Sequence, residues 1–250
     1  MKKTYTFHNL SKSKLCHHLV TQKDKKSPYS FSLALHTNED QKSIIKNRQY
    51  LSQNFPTKKF IVANQTHSAN IAIIQGNQTL GWESLETAIA NSDALISNQK
   101  NIMLTILTAD CVPILLFDPI QQVVGAVHAG WKGTQEKILL KTIQKMQKEF
   151  NSKPQDILAG IAPSIGKCCY EVDWNVAQHF EKIAHAYSQK NDKYMLDLPH
   201  INKKQLLESG LNEQHIEMSK TCTACNVNDY FSYRKENGCS GRFMSMIGLN

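Results

Sequence analysis

Three closely spaced apolar runs in the middle of the chain constrain the fold more than any other feature. Residues 102–107, 112–117 and 123–127 are rich in β-branched side chains and are separated only by short polar or turn-forming segments. Continuous apolar runs of this length are typical of strands that are buried on both faces. The sequence therefore predicts a central sheet with both faces covered.

Helical and strand-like patterns flank this centre. Apolar residues at helical spacing predict helices over residues 40–55, 134–150, 172–187 and 199–209. Short apolar runs predict further strands at 59–64, 70–75 and 156–162, and a C-terminal hairpin at 230–234 and 242–247. Because strands and helices are mixed rather than strictly alternating, we expect an α+β fold in which helices cover a mixed sheet core. No linker or repeat divides residues 1–250, so one layered domain is expected.

Composition narrows the class of protein. The chain carries 29 Lys and Arg against 21 Asp and Glu, a formal charge of +8. These cations are dispersed and not interleaved with aromatics, so we expect no nucleic-acid partner, a mostly solvated surface and small anions as ligands. No stretch approaches the roughly 20 apolar residues of a membrane-spanning helix, and no signal peptide is apparent. Seven cysteines, an odd number, favour reduced thiols in a cytoplasmic protein.

Three potential metal ligands follow or precede predicted strands. His67 lies between two strands, Cys111 at the junction of two of the central strands, and His128 just after the third. Two imidazoles and a thiolate suit tetrahedral zinc with a fourth position open, and suit zinc or copper far better than magnesium. Each residue alone is weak evidence, because an isolated histidine or buried cysteine is usually structural.

A glycine-containing segment follows His128. Residues 129–134 read Ala-Gly-Trp-Lys-Gly-Thr and lead from a strand into a predicted helix, where backbone amides attract anions. Lys132 adds a positive charge there. The pattern is not a Walker phosphate loop, and a tight structural turn would explain it equally well.

Several ordered motifs together resemble the YfiH family. They are Asn-Gln-Thr-His at 64–67, Ser-Asp-Ala-Leu-Ile-Ser at 92–97, Thr-Ala-Asp-Cys-Val-Pro at 108–113, Val-His-Ala-Gly-Trp-Lys-Gly-Thr at 127–134, Gly-Ile-Ala-Pro-Ser-Ile-Gly at 160–166 and Phe-Ser-Tyr-Arg at 231–234. Tyr170 and the Gly241-Arg242 pair also fit. The family is variously labelled laccase-domain, multicopper polyphenol oxidase or peptidoglycan-editing factor.

This resemblance implies a single-domain α/β/β/α layered fold and a zinc site at His67, Cys111 and His128. It also implies phosphorolysis of adenosine, inosine and methylthioadenosine, and hydrolytic deamination of adenosine. The partners would then be purine nucleosides and phosphate, without a membrane or nucleic acid. Family members often have Arg where Lys132 stands, and Lys loses the bidentate geometry that phosphate favours.

Further site residues follow from this chemistry as hypotheses. Asp110 or Asp93 could serve as general acid or base, or could hydrogen-bond a ligand imidazole. Asp110 can share a site with Cys111 only if the chain bends there, since neighbouring side chains on a strand point to opposite faces. Phosphate could be bound by Arg48, Lys132 or Arg234, with Arg234 preferred. Tyr170 and Tyr233 could stack on the purine or line its pocket.

Three other functions stay open at this point. One is a copper-dependent phenol oxidase. A second is a cysteine hydrolase, with Cys111 as nucleophile and His128 as base, which could edit peptidoglycan precursors. A third is a non-catalytic partner of cell-wall enzymes.

The remaining cysteines receive no function from the sequence. Cys222 and Cys225 form a Cys-Thr-Ala-Cys motif, with Cys239 further along, and Cys168 and Cys169 are adjacent. A second zinc site or a redox pair would need more ligands in suitable places. We therefore interpret these residues as structural or incidental thiols.

Overall fold

The computed structural model describes residues 2–238 and 241–250. Its strands, in chain order, are β1 (Thr4–Tyr5), β2 (Cys16–Thr21), β3 (Lys59–Val62), β4 (Ile71–Ile73), β5 (Ala94–Ser97), β6 (Ile102–Thr108), β7 (Val112–Asp118), β8 (Val123–Ala129), β9 (Leu158–Ile161), β10 (Glu171–Val172), β11 (Tyr187–Lys190), β12 (Lys193–Leu196), β13 (Ile216–Met218) and β14 (Phe243–Leu249). Its α-helices are α1 (His8–Ser11), α2 (Gln41–Ser52), α3 (Trp131–Gln135), α4 (Ile138–Phe150), α5 (Trp174–Ala177) and α6 (Leu198–Glu208).

Within these residues the strands form two large sheets and one small sheet. The first large sheet has the order β1-β2-β14-β6-β3, and the second has the order β13-β9-β7-β8-β5-β4. Both are mixed, since β3 is parallel to β6 but β14 is antiparallel to it, and β4 is parallel to β5 but β7 is antiparallel to β8. The small sheet has the order β10-β12-β11. The prediction of mixed sheets is confirmed.

The two large sheets pack face to face. Leu115 and Phe117 on β7 share one apolar cluster with Leu104 on β6, across the interface between the sheets. Their neighbour Ile114 points the other way, into a second cluster that includes Ile143 of α4. Strand β7 is therefore buried on both faces, as the unbroken apolar run predicts.

Helices cover the two outer faces. α4 and α6 lie on the second sheet, and α2 lies on the first, where Leu51 packs with Phe60 and Met103. α2 begins where the Asp40 side chain accepts a hydrogen bond from the backbone N–H of Ser43, an N-cap that fixes the start of the helix. The order of layers is α/β/β/α, which confirms the expected fold class.

Two predicted helices differ from the structure. The helix expected over 134–150 is interrupted at Lys137, which has a φ of 59°, so that α3 ends and α4 begins there. The helix expected over 172–187 is wrong. That segment contains the second residue of β10, then α5, a 3₁₀ turn at Gln178–Phe180 and the first residue of β11. Val172 and Phe180 are nevertheless buried in the same apolar cluster as α4. The apolar spacing therefore predicts correctly which residues are buried, but it does not predict the secondary structure of this segment.

The predicted C-terminal hairpin is also wrong. No strand covers residues 230–234, and β14 instead lies between β2 and β6. Strand β2 was not expected, because its sequence begins with Cys16, His17 and His18 and lacks a clear apolar pattern. It forms because the far end of the chain supplies β14 as its partner. No helix in the described part of the chain is both long and apolar enough to cross a bilayer.

Candidate metal centre

The fold brings His67, Cys111 and His128 into one cluster. His67 lies in the loop between β3 and β4, Cys111 in the connection from β6 to β7, and His128 near the end of β8. Their potential ligand atoms all lie within 4.8 Å of one another. The Cys111 Sγ is 3.8 Å from Nε2 of His67. The sequence therefore selected three residues, far apart in the chain, that the structure places together.

The absence of a side chain at Gly130 leaves room for this cluster. A Cβ atom on Gly130 would lie 3.1 Å from Cδ2 of His67 and 3.2 Å from Sγ of Cys111. Both contacts are tighter than ordinary van der Waals separation, so a larger residue at 130 would displace the ligands. Gly130 is also the N-cap of α3. The glycine of the Ala-Gly-Trp motif thus has a packing role next to the ligands.

Asp93 holds His128 in place. Its fully buried carboxylate accepts a 2.7 Å hydrogen bond from Nδ1 of His128. The same carboxylate accepts the backbone N–H groups of Thr66, His67 and Ser68 and the Ser68 hydroxyl. With a proton on Nδ1, Nε2 of His128 is left as the metal-binding atom. Asp93 thereby fixes both the loop that carries His67 and the tautomer of His128.

The charges of these side chains are coupled. Burial opposes ionisation of the Cys111 thiol, but the positive charge and hydrogen bonds of His128 and His67 lower its pKa to about 6. Burial likewise opposes the charged form of His128, but the Cys111 thiolate and the Asp93 carboxylate raise its pKa to about 9. Burial would raise the pKa of Asp93, yet the hydrogen bond and charge of His128, with the bonds from Ser68, hold it well below its usual range. A thiolate and two oriented imidazoles are the donors that zinc and copper prefer.

Asp110 lies beside the cluster in a bent segment. Its φ of 86° turns the chain between β6 and β7, so that Asp110 and Cys111 both line the same cavity. The Asp110 carboxylate accepts the hydroxyl of Thr223 at 2.6 Å and the backbone N–H of Arg234 at 2.7 Å. The bend that the sequence argument required is present, and the carboxylate anchors two segments of the C-terminal loop.

A cavity of about 520 Å³ opens onto the cluster, within the range of roughly 300–1,000 Å³ that small-molecule sites occupy. Its wall includes Tyr170 and Arg234, two of the residues expected to contact substrate. The Arg234 guanidinium lies 5.4 Å from the centre of the Tyr170 ring and donates to the backbone carbonyl of Glu171 at 2.8 Å. Arg234 is therefore held in a defined position at the cavity.

Two other predicted phosphate ligands are placed elsewhere. Arg48 is fully buried and donates to the backbone carbonyls of Leu33, Gly81 and Trp82, away from the cavity wall. Lys132 is exposed and does not line the cavity, although its neighbour Trp131 does. Arg48 thus ties loops around α2, and neither cation is brought to the cluster.

Several residues of the cavity wall were not expected from the sequence. His36, Gln65 and Arg242 line the cavity but were given no role, whereas Tyr233, which was expected at the purine, does line it. His36 lies in none of the recognised motifs. Burial and the positive charges of Arg242 and Arg48 lower the pKa of His36 to about 4. The only sequence signal for Arg242 was its place in a Gly-Arg pair of the resemblance.

Comparison with known proteins defines the class. The model of the family described as multi-copper polyphenol oxidoreductase laccase matches residues 17–250. The chain belongs to this family, in agreement with the YfiH resemblance in the sequence.

Individual relatives carry more specific names. The purine nucleoside phosphorylase YlmD of Bacillus subtilis is 33% identical over 228 residues, covering 88% of this chain and 82% of that protein. The adenosine deaminase RL5 of an unidentified prokaryote is 32% identical over 197 residues, covering 75% and 74%. These names support an enzyme.

A solved structure confirms the architecture. YlmD from Geobacillus stearothermophilus superposes with a TM-score of 0.90 at 29% identity, covering 95% of this chain and 93% of that one. A YfiH protein of Bacillus licheniformis gives 0.89 at 31% identity, covering 94% and 93%. The layered α+β fold is shared across nearly the whole length.

Proposed function

We propose that this protein is a zinc-dependent purine nucleoside enzyme that catalyses phosphorolysis of adenosine, inosine and methylthioadenosine and hydrolytic deamination of adenosine. The observation that carries the proposal is the His67–Cys111–His128 cluster at a cavity that also presents Arg234 and aromatic rings. The relatives named purine nucleoside phosphorylase and adenosine deaminase support the choice of substrate.

The residues present fit a single zinc ion. His67, Cys111 and His128 would hold it, since Asp93 leaves Nε2 of His128 available and Gly130 leaves space beside the other two ligands. Three protein ligands leave one position for a reacting molecule. Zinc there would supply Lewis acidity beside the reacting atoms, for deamination at C6 of adenine in particular.

The chain's own cations would handle phosphate. In phosphorolysis a phosphate oxygen bonds to C1′ of the ribose while the bond from C1′ to the purine nitrogen breaks, and the departing base takes up the proton that the hydrogen phosphate gives up. Arg234 and Arg242 both line the cavity, and guanidinium groups bind phosphate oxygens in pairs. We assign them to phosphate, and we assign the rings of Trp131, Tyr170 and Tyr233 to the purine.

The two aspartates would act through their neighbours. Asp93 accepts hydrogen bonds from His128 and from the backbone of the loop that carries His67, and Asp110 accepts hydrogen bonds from the Thr223 hydroxyl and the Arg234 backbone N–H. In this proposal both are positioning residues: Asp93 for the ligands and Asp110 for the loop that carries Arg234. Arg234, the catalytic group at the cavity, depends on Asp110, whereas Asp93 acts through the metal ligands.

A copper oxidase fits the ligand set less well. Two histidines and a cysteine also form blue-copper sites, but these add a weak axial ligand such as Met or Gln. No methionine lines the described cavity, and both ends of the Gln65 amide are engaged with the backbone of Leu107. Among the described residues, the other potential metal cluster contains only cysteines, so a histidine-rich group of several copper ions has no counterpart there.

The decisive experiment measures products and metal together. The purified chain is incubated with adenosine, with and without phosphate, and adenine, inosine and ammonia are quantified. We expect adenine to form only when phosphate is present, and inosine and ammonia to form also when it is absent. Both activities should be lost in Cys111→Ala and in the wild-type chain after chelation, and adding zinc should restore them in the wild-type chain.

Two results would redirect the assignment. Turnover retained in Cys111→Ala would remove the cluster from the reaction. Activity that is blocked by thiol alkylation but indifferent to chelators would favour the cysteine hydrolase, with Cys111 as nucleophile and His128 as base.

A further inference from the structure

A second group of side chains gathers four sulfur atoms. The Sγ atoms of Cys168, Cys169, Cys222 and Cys225 all lie within 4.8 Å of one another. Cys225 Sγ lies 3.6 Å from that of Cys168 and 3.4 Å from that of Cys169. The sequence alone offered the Cys-Thr-Ala-Cys pair without further ligands, and the fold supplies the two that were missing. Cys239 lies outside the described residues.

The sulfur spacing matches a metal site better than a disulfide. Four thiolates around zinc at about 2.3 Å form a tetrahedron whose edges are about 3.8 Å. A disulfide would bring one pair to about 2.05 Å, and the remaining pair would then have no reason to stay in the same cluster. The separations at Cys225 are close to the tetrahedral edge.

The backbone around the sulfurs is arranged to receive a thiolate. The N–H of Gly166 donates to Sγ of Cys222 at 3.3 Å, and hydrogen bonds of this kind stabilise negative sulfur. A Cβ on Gly166 would lie 3.4 Å from Sγ of Cys168 and 3.3 Å from Cβ of Cys222. A side chain at this position would therefore crowd Cys168 and Cys222.

We propose that Cys168, Cys169, Cys222 and Cys225 bind one zinc ion in a closed tetrathiolate site, separate from the His67–Cys111–His128 cluster. Each thiol gives up its proton to solvent as its sulfur bonds to the metal, and no electron is transferred. With all four positions occupied by protein, the site holds structure and leaves no position for substrate.

The position of the site indicates that it stabilises two loops beside the cavity. Cys168 and Cys169 lie in the loop after β9, and Cys222 and Cys225 lie in the loop after β13, two irregular segments joined by few backbone hydrogen bonds near Ser164. The first loop leads directly to Tyr170 in the cavity wall. The second contains Thr223, whose hydroxyl binds Asp110 beside Cys111. Zinc would clamp the two loops and so hold one side of the cavity.

The test isolates this site by removing the other. The full-length Cys111→Ser variant is purified in the presence of zinc, dialysed, and analysed for metal. We expect about one zinc ion per chain, against about two in the wild type, and a zinc X-ray absorption spectrum with four sulfur neighbours at about 2.3 Å. Titration with a mercurial reagent should release this zinc as about four thiols react. Metal content is the readout, so the result does not depend on the nucleoside activity.

Matched variants locate the ligands. In the Cys111→Ser background, Cys222→Ser with Cys225→Ser should lose the remaining zinc. Cys16→Ser should retain it, because Cys16 is buried in β2 with its Sγ 3.7 Å from the carbonyl of Leu10 and belongs to neither cluster. If the double variant does not fold, the absorption spectrum and the thiol titration of Cys111→Ser still decide the question.

Three results would overturn the proposal. The first is a Cys111→Ser chain without zinc after loading. The second is nitrogen or oxygen in place of sulfur around the zinc, or iron held by the same four sulfurs. The third is a disulfide between two of these four cysteines, seen as a mass about 2 Da lower under non-reducing conditions and placed in the cluster by peptide mapping.

Discussion

Replacing Asp93 with asparagine tests how the candidate metal centre is held. Oδ1 of Asp93 accepts Nδ1 of His128 and the N–H of His67, and Oδ2 accepts the N–H and hydroxyl of Ser68 and the N–H of Thr66. An asparagine NH₂ group must face one of these two sets. Facing the Oδ2 set would confront four donors, since the Thr66 hydroxyl also lies 3.4 Å from Oδ2, so we expect it to face His67 and His128.

That orientation reverses the hydrogen bond to the imidazole. The NH₂ group would donate to Nδ1 of His128, which moves the ring proton to Nε2 and blocks the metal-binding atom. Loss of such a partner weakens metal binding roughly 10–100-fold, or about 1.4–2.8 kcal/mol. The N–H of His67 would also lose its acceptor, which lowers the free energy of unfolding by about 1–3 kcal/mol.

Zinc affinity of Asp93→Asn is measured by competition with a chromophoric chelator, and stability by urea unfolding of the metal-free chain. Asp118→Asn is the matched control. This buried carboxylate at the opposite end of β7 accepts two backbone N–H groups at Oδ1, while Oδ2 has no partner among the described residues, so the amide can place its NH₂ there. Zinc affinity in Asp93→Asn within about twofold of the control would refute the reasoning.

Three further outcomes follow from the same geometry. In chelator-stripped protein, the rate at which Cys111 is alkylated, measured by peptide mass spectrometry, should fall as the pH is lowered through about 6, because the pKa of this thiol is lowered from the ordinary 9.0. His128→Ala should move the midpoint of this pH profile upward, because the imidazolium charge is removed. A midpoint near 9 in both proteins would contradict the coupling of Cys111 to His128. Gly130→Ala should weaken zinc binding roughly tenfold in the chelator assay, since its Cβ would press on two ligands, and unchanged affinity would show that the ligands tolerate it. Arg234→Lys should raise the KM for phosphate about 10–100-fold through loss of paired hydrogen bonds. The control Lys203→Ala, which removes an exposed ion pair with Glu213, should leave this KM unchanged. Equal KM values for phosphate in the two variants would show that Arg234 does not bind phosphate.

The fold was predictable where burial alone determines structure. β6, β7 and β8 lie within a residue or two of the apolar runs because strands covered on both faces need apolar side chains at every position. The same logic failed over 172–187. There Val172, Val176 and Phe180 contact the core at helical spacing, but the positive φ of His185 and the strand pairing of β10 with β12 shape the backbone.

The candidate site was predictable only in part for a related reason. His67, Cys111 and His128 are of residue types that commonly bind metals, and each lies in a motif of the family. His36 and Arg242 lie near opposite ends of the chain and reach the cavity only through tertiary packing. Arg48 shows the converse: its charge suggested an anion ligand, whereas the fold uses its guanidinium to bind three backbone carbonyls.

Asp110 links the two potential metal clusters through one turn of backbone. The chain must cross from the first large sheet to the second between β6 and β7, and the φ of 86° at Asp110 makes that crossing within three residues. Such a conformation costs a non-glycine residue of order 1–3 kcal/mol and persists only where neighbours enforce it. Thr223 and the backbone of Arg234 enforce it through the carboxylate, and Thr223 lies between Cys222 and Cys225 of the four-cysteine cluster. The position of Cys111 in its own cluster thus depends on a loop that contains Cys222 and Cys225, and the zinc ion proposed at the four cysteines would act on the His67–Cys111–His128 cluster through this loop.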